Sequence, residues 1–186
     1  DGCTVTALDV ADGPVPLTRK DAVVLAVPPW GAADLVPGLT VPDRFHAIVN
    51  AHYKIPRPPG APAILGVVGG TAEWIFTFDD RISVTCSFAD AIVDLDREEL
   101  AARIWADVAR ALKIAAPMPS WQIVKEKRAT FSATPQQDAR RPAARSGLRN
   151  LFLAGDWTRT GLPATIEGAL RSGETAAALA LRHLSV

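Results

Sequence analysis

The chain is poor in the residues that staple or metallate small proteins. Its two cysteines, Cys3 and Cys86, stand alone. That excludes a disulfide-rich scaffold and favours two buried thiols, with a single disulfide between them as the alternative. Three histidines, His46, His52 and His183, fall in no metal spacing such as HExxH, so no metal site is expected. Neither sign of charge is in excess. Twenty Lys and Arg balance twenty Asp and Glu, which gives no electrostatic footprint for a nucleic-acid partner. No apolar run reaches the roughly 18 residues needed to span a bilayer. The longest candidate, ATIEGALRSGETAAALALRHL, carries Glu167, Arg171, Glu174 and Arg182 and reads as a small-residue amphipathic helix. The opening stretch, DGCTVTALDV, lacks the basic and apolar regions of a secretory signal. It begins at Asp1 rather than at a methionine and reads as though it starts within a domain. There is no internal repeat and no low-complexity tract.

What is present is ordinary globular material. The 186 residues are 48% hydrophobic and 22% charged, which suits one domain or two small ones. Fifteen prolines and thirteen glycines imply many turns, and five tryptophans imply large apolar surfaces to bury. Thr4 to Val10 is a short β-rich run, closed by a turn at Asp12-Gly13-Pro14. AVVLAV, residues 22–27, is a continuous apolar run of the kind that forms a strand buried on both faces in α/β sheets. Residues 31–36 can make one helical turn before Pro37.

Residues 44–89 read as an antiparallel meander with strands at 45–55, 63–68, 72–78 and 81–88, broken by RPPGAP at 57–62. A two-residue loop at Asp79-Asp80 would set Phe78 opposite Arg81, Phe76 opposite Ser83 and Trp74 opposite Thr85. One face then carries Trp74, Phe76 and Phe78, and the other carries Ile75, Ile82 and Val84. A sheet apolar on both faces needs cover on both. The pattern fits a helix on one side with an apolar ligand on the other, or two protein layers with no ligand. Asp96 followed by Glu99 is a capping-box signature, and Leu100, Ile104, Val108 and Leu112 recur every fourth residue, so 96–112 reads as a core-facing helix. Trp121 to Ala129 reads as a strand. Thr134 to Arg149, with Arg140, Arg141 and Arg145, reads as a solvated loop, with contact to a phosphate or a membrane surface as the alternative.

NLFLA, residues 150–154, is a short buried-type strand, and Gly155-Asp156-Trp157-Thr158 follows at its C-terminal end. A loop, RTGLP, leads into a long helix reaching about His183. Its buried stripe is expected at Ile166, Ala169, Leu170, Gly173, Ala176, Ala177 and Ala180. Gly168 and Gly173 cost about 1 kcal/mol each relative to alanine inside a helix, which points to close approach of a backbone or a flat ligand. A strand, a carboxylate at its end and a helix N-terminus together make a ligand-site geometry of open α/β sheets. The helix start suits a phosphate or an electron-rich carbonyl, and Asp156 suits sugar hydroxyls. The alternative is an aspartate capping a turn before an ordinary helix.

NLFLAGDWTRTGLPATIEGALRSGETAA closely resembles the C-terminal FAD-contact motif of the flavin amine oxidase and phytoene desaturase superfamily. AVVLAVPPW resembles that superfamily's strand ending in Ala and Pro near the cofactor. NAHYKI, EWIFTFDD, KRATFSATP and AGDWT with LPATIEGALRSG resemble more narrowly the hydroxysqualene dehydroxylase family of squalene-associated FAD-dependent desaturases. The resemblance covers nearly all of the chain. It implies an α/β (α+β) fold: part of a Rossmann-like FAD-binding domain formed by 1–40 and 140–186, and an antiparallel-sheet substrate domain with a packed helix over 41–139. Gly155 would let the backbone approach the cofactor, and Asp156 would bind its ribityl or pyrophosphate region. Pro163, Ala164, Thr165 and Ile166 would lie along the isoalloxazine, with the amide near Ile166 at the N1/O2 edge. Val27 and Pro28 would lie near the adenosine diphosphate. Trp74, Phe76 or Phe78 would line an apolar substrate cavity, with plain core as the alternative.

The superfamily opens with a strand–GxGxxG–helix unit, and this sequence has none. Gly66-Val67-Val68-Gly69-Gly70 has the wrong spacing and precedes a strand. The expectation is therefore a C-terminal fragment of a longer FAD enzyme, with the missing N-terminal half as its partner and self-association through the exposed interface. The implied reaction is reductive removal of an allylic hydroxyl from a C30 isoprenoid, giving squalene in bacterial hopanoid synthesis. Alternatives are a carotenoid or phytoene-type desaturase, a flavin amine oxidase, or a non-catalytic lipid-binding fragment. Asp79, Asp80 and His52 are conceivable general acids, but turn charges and a strand histidine account for them, so no catalytic residue is assigned. The implied location is cytoplasmic with peripheral contact to the inner face of the membrane, to which Trp30 and its apolar neighbours would contribute.

Overall fold

A computed structural model describes residues 3–185. In chain order the elements are β1 (Ala7–Val10), β2 (Gly13–Pro16), β3 (Val23–Leu25), α1 (Pro29–Leu35), β4 (Phe45–Tyr53), β5 (Ile64–Gly66), β6 (Trp74–Thr77), β7 (Ile82–Cys86), a 3-10 turn (Ala89–Ala91), α2 (Arg97–Leu112), β8 (Trp121–Phe131), α3 (Pro135–Asp138), β9 (Leu151–Leu153) and α4 (Ile166–Leu184). They form two compact units. One comprises the chain up to Arg44 and from Phe131 onward, and the other is Phe45–Thr130. The mixed class expected from the sequence is the class observed.

In the Phe45–Thr130 unit the strands lie in the order β5-β6-β7-β4-β8. Strands β5, β6 and β7 run as a meander, but β4 pairs with β7 rather than with the strand that follows it in sequence. The proline-rich 56–62 segment supplies few N–H donors and carries the chain away from β4 instead of turning it back. The β6–β7 register is the expected one: Trp74 pairs with Thr85 and Phe76 with Ser83, and Phe78 N–H donates to Arg81 O at 2.8 Å. Ile75, Ile82 and Val84 are fully buried with Val49, Ala51 and Tyr53 of β4. Helix α2 covers that face through Leu100, Ile104 and Val108, and Tyr53 Oη donates to Ala101 O at 2.7 Å. The other face stays open, with Trp74 49% and Phe78 39% exposed.

Asp96 starts α2 by accepting from Glu98 N–H at 2.7 Å, which holds its carboxyl below the usual range. The reciprocal half of the capping box is absent, because Glu99 pairs with Arg103 at 2.7 Å instead. Lys113 ends the helix in the left-handed region at φ 54°. The Gly66–Gly70 stretch has a local purpose. Asp107 of α2, itself buried, accepts from Thr71 N–H at 2.6 Å and Ala72 N–H at 3.1 Å, and a Cβ on Gly70 would lie 2.7 Å from its Oδ2.

In the other unit β1 and β2 form a hairpin whose loop is Ala11-Asp12, one position before the expected turn. β3 and β9 pair in parallel, Val23 with Leu151 and Leu25 with Leu153. Buried Asn150 clamps the preceding segment, accepting from Val5 N–H at 2.9 Å and donating to Val5 O at 3.0 Å. The expectation that the β3 run is buried on both faces fails at Val24, which is 43% exposed. β9 has neighbours on both edges, through Arg145 opposite Phe152 and Leu153 N–H to Ala144 O, whereas β3 pairs with β9 alone among the described residues. Cys86 is buried, and burial pushes its thiol up to about 12. Cys3 is exposed, against expectation, and both cysteines are free. Among the described residues no group of His, Cys, Asp or Glu is arranged to hold a metal ion, and no helix is long and apolar enough to cross a membrane.

Asp107→Ala should strand the Thr71 and Ala72 amides and cost about 2–3 kcal/mol. Asp107→Asn keeps an acceptor and should cost less. Urea unfolding followed by tryptophan fluorescence orders the two.

Candidate functional site

The site grows from the ends of the two parallel strands. Leaving β9, the chain makes an abrupt turn at Gly155, whose φ of 143° is open to glycine and strained for other residues. Space imposes the same choice, since a Cβ there would lie 2.7 Å from Cδ1 of the Trp157 indole. That indole is buried, and its Nε1–H donates to Val27 O at 3.0 Å. Ala154 N–H donates to Leu25 O at 3.0 Å. Val27, Pro28, Gly155 and Asp156 therefore meet at the C-terminal ends of β3 and β9. Pro28 O accepts from Ala32 N–H and opens α1.

Helix α4 packs on this pair through a stripe that differs from the expected one. Its buried residues are Gly168, Ser172, Ala176 and Ala180, one every fourth position, and Ala176 and Ala180 pack with Phe152 and Ala154. Ile166 is 83% and Leu170 61% exposed, and Ala169 and Ala177 are exposed as well. The reason is distance: only very small side chains let a helix sit this close to the strand, so the bulkier residues turn outward. Ser172 has a second task. Its Oγ accepts from Gly155 N–H at 3.0 Å and shares a 2.6 Å hydrogen bond with Thr158 Oγ1. At the start of α4, Thr165 Oγ1 accepts from Gly168 N–H at 3.0 Å, and a Cβ on Gly168 would lie 3.1 Å from Pro163 O. Pro163, Thr165 and Ile166 are exposed and Ala164 is half-buried, an uncovered surface at the positive end of a nineteen-residue helix.

The loop between β9 and α4 is held by Arg141. Its guanidinium is almost fully buried and donates to Thr158 O at 2.5 Å, Asp156 O at 3.1 Å and Thr160 Oγ1 at 2.9 Å. It pairs with Asp138 at 3.0 Å and lies 4.9 Å from the Phe131 ring centroid. The solvated loop expected over 134–149 is thus corrected. Thr134 caps the short α3, Arg140 donates to Val41 O and pairs with Asp43, and Arg141 is inside. The Asp156 and Thr158 carbonyls are withdrawn from water and need donors, and a planar five-donor group is the economical supply.

Asp156 is half-buried. Desolvation raises its carboxyl above the usual range, opposed by the Trp157 N–H and the Arg141 charge. An acceptor partly stripped of water, beside bare backbone at a strand end, suits a polyhydroxyl ligand. Arg141, Trp157 and Ser172 escaped the sequence reading. The four-residue spacing of Gly168, Ser172, Ala176 and Ala180 is a signal for Ser172, whereas nothing local distinguishes Arg141 from Arg140.

Arg141→Met should cost about 3 kcal/mol, because the Asp156 and Thr158 carbonyls lose a charged donor. Gly155→Ala should cost roughly 2 kcal/mol or more through φ and the indole clash. Arg140→Met, with an exposed ion pair, should cost about 1 kcal/mol or less. Thermal and urea unfolding of the three variants check this order.

The chain is 55% identical over 177 residues to the hydroxysqualene dehydroxylase of Sinorhizobium fredii, covering 95% of this chain and 42% of that protein. It is 58% identical over 167 residues to the hydroxysqualene dehydroxylase of Rhodopseudomonas palustris, covering 90% and 40%. It therefore spans 40–42% of the length of these two curated relatives. The crystal structure of a candidate protoporphyrinogen oxidase from Exiguobacterium superposes with a TM-score of 0.68 over 97% of this chain and 44% of that one, at 14% identity, a likeness of fold. The model of the flavin containing amine oxidoreductase family matches residues 1–181. The chain belongs to the flavin containing amine oxidoreductase family.

Proposed function

We propose that this chain is part of an FAD-dependent oxidoreductase that removes the hydroxyl of hydroxysqualene reductively to give squalene. Its likeness to enzymes named for that reaction supports the substrate. The observation that carries the cofactor reading is the half-buried Asp156 carboxyl at the end of two parallel strands, followed by the uncovered start of α4. These residues fit a flavin dinucleotide: an acceptor for hydroxyls, bare backbone at Gly155, and an apolar surface at a helix N-terminus for a flat ring. In this reading Asp156 and Gly155 hold the ribityl or pyrophosphate region, and Val27 and Pro28 border the adenosine diphosphate. Pro163, Ala164, Thr165 and Ile166 border the isoalloxazine. The Ile166 amide and the helix dipole favour negative charge at the N1/O2 edge. When bound and reduced, the flavin supplies two electrons and a proton. The chain contains no GxGxxG unit, so the pyrophosphate needs donors from further polypeptide.

The Phe45–Thr130 unit holds the isoprenoid, with Trp74, Phe76 and Phe78 as its apolar lining. Its substrate resides in bilayers, so the enzyme works at the inner face of a bacterial membrane as a peripheral protein, with Trp30 and Leu35 of α1 among its contacts. Exposed Ile166, Leu170, Leu181 and Leu184 on α4 are an interface for further polypeptide, and drive self-association when that polypeptide is missing.

Asp156→Asn in the flavin-loaded enzyme should weaken flavin binding about 10- to 100-fold, since a charged acceptor is lost. It should also raise the thermal stability of the flavin-free protein at neutral pH. The sign follows from linkage: a carboxyl raised in the folded state favours folding at low pH, and that contribution is lost as pH rises through its folded value. Flavin titration and melting curves at pH 4 and pH 7 read both effects, and unchanged flavin affinity would remove Asp156 from the site.

A further inference from the structure

The open face of the five-stranded sheet is divided by chemistry. Strand register sets two rows across it. One runs His52, Ser83, Phe76, Ile64, and the next runs Asn50, Thr85, Trp74, Gly66. The β4–β7 half of each row is polar and the β5–β6 half is apolar. The Trp74 ring lies over Gly66, where a Cβ would sit 3.4 Å from it, and Ile64 and Trp74 are 58% and 49% exposed. On the polar half the side chains pair across the strands: His52 Nδ1 lies 2.9 Å from Ser83 Oγ, and Thr85 Oγ1 donates to Asn50 Oδ1 at 2.8 Å. Among the described residues these pairs leave His52 Nε2 and Asn50 Nδ2 without a hydrogen-bond partner. His46, farther along β4, is differently placed, with Nδ1 2.8 Å from Asp90 and its ring stacked on Phe88.

A face with an open imidazole nitrogen and an open amide donor beside an uncovered aromatic and aliphatic strip suits a long hydrocarbon bearing a hydroxyl. Resting on the function proposed above, we propose that His52 binds the hydroxyl of the isoprenoid alcohol and is the proton donor that lets it leave, with Ser83 as the residue that positions its ring. The balance is simple. Bound reduced flavin would supply the carbon with two electrons and one proton as the C–O bond breaks. The oxygen takes the second proton from Nε2 of protonated His52 and departs as water. Nδ1–H donates to Ser83 Oγ before transfer, and the imidazole is left neutral. The charged groups of the adjoining cleft are Lys54, Asp80 and Arg81. The hydrocarbon chain lies along Phe76, Trp74 and Ile64, which have no means of telling alcohol from alkene.

The test uses the full-length flavin-loaded enzyme and two ligands, hydroxysqualene and squalene, with dissociation constants for each. Single-turnover oxidation of the reduced flavin is followed with hydroxysqualene and, separately, with dioxygen. His52→Phe should weaken hydroxysqualene about tenfold and leave squalene unchanged. It should slow oxidation by hydroxysqualene at least about a hundredfold and leave oxidation by dioxygen unchanged. His52→Gln keeps a donor and should recover the affinity but not the rate. An unchanged hydroxysqualene-to-squalene affinity ratio in His52→Phe overturns the hydroxyl contact, and a wild-type rate in His52→Gln overturns the proton transfer. If the wild-type enzyme binds neither ligand, the proposed function falls as well, an outcome distinct from the other two.

Discussion

The buried guanidinium of Arg141 is the constraint on which the 155–160 loop depends. The Asp156 and Thr158 carbonyls and the Thr160 hydroxyl converge on it. With those carbonyls fixed, Thr158 can reach Ser172, Ser172 can take the Gly155 amide, and Trp157 can close on Val27. A charge taken out of water is costly, and it is sustained here because nearly every donor it carries is used. Asp156 benefits indirectly: its backbone is pinned while its carboxyl stays half in solvent, the combination a ligand-facing acceptor requires.

Much of this was legible in the residues. Period-two alternation through Trp74 to Thr85 set both the hairpin register and the face that α2 covers, because a one-residue slip would have put Ile75, Ile82 and Val84 in water. The Asp96 start of α2 and its four-residue stripe followed from capping and periodicity. What was not legible had non-local causes. The burial of Arg141 depends on carbonyls some fifteen residues away, and the outward turn of Ile166 and Leu170 depends on how close α4 must lie to β9. Helical periodicity identified an apolar stripe on α4, but the helix has two, and the choice between them was made by side-chain volume. The partial burial of β3 depends on what pairs at its edges, a property its own residues do not record.

The sheet of the Phe45–Thr130 unit shows how a fold can assign opposite duties to alternate residues of one strand. In β4, Val49, Ala51 and Tyr53 anchor the core while Asn50 and His52 face away from it. The core side tolerates little change in volume, whereas the open side can exchange polar for apolar residues at small cost to stability. One face of the sheet can therefore change its chemistry without rebuilding the other.

Trp157 and Val27, joined by a single hydrogen bond, lie 130 positions apart in the chain. The parallel β3–β9 pair beside them is equally remote in sequence. Closing so long a flexible loop is entropically costly and slow. The cost falls once Phe45–Thr130, whose sheet and helix are local to it, has collapsed on itself and reduced the length of flexible chain in the loop. The topology thereby favours one order of folding, the Phe45–Thr130 unit first and the β3–β9 pair afterwards.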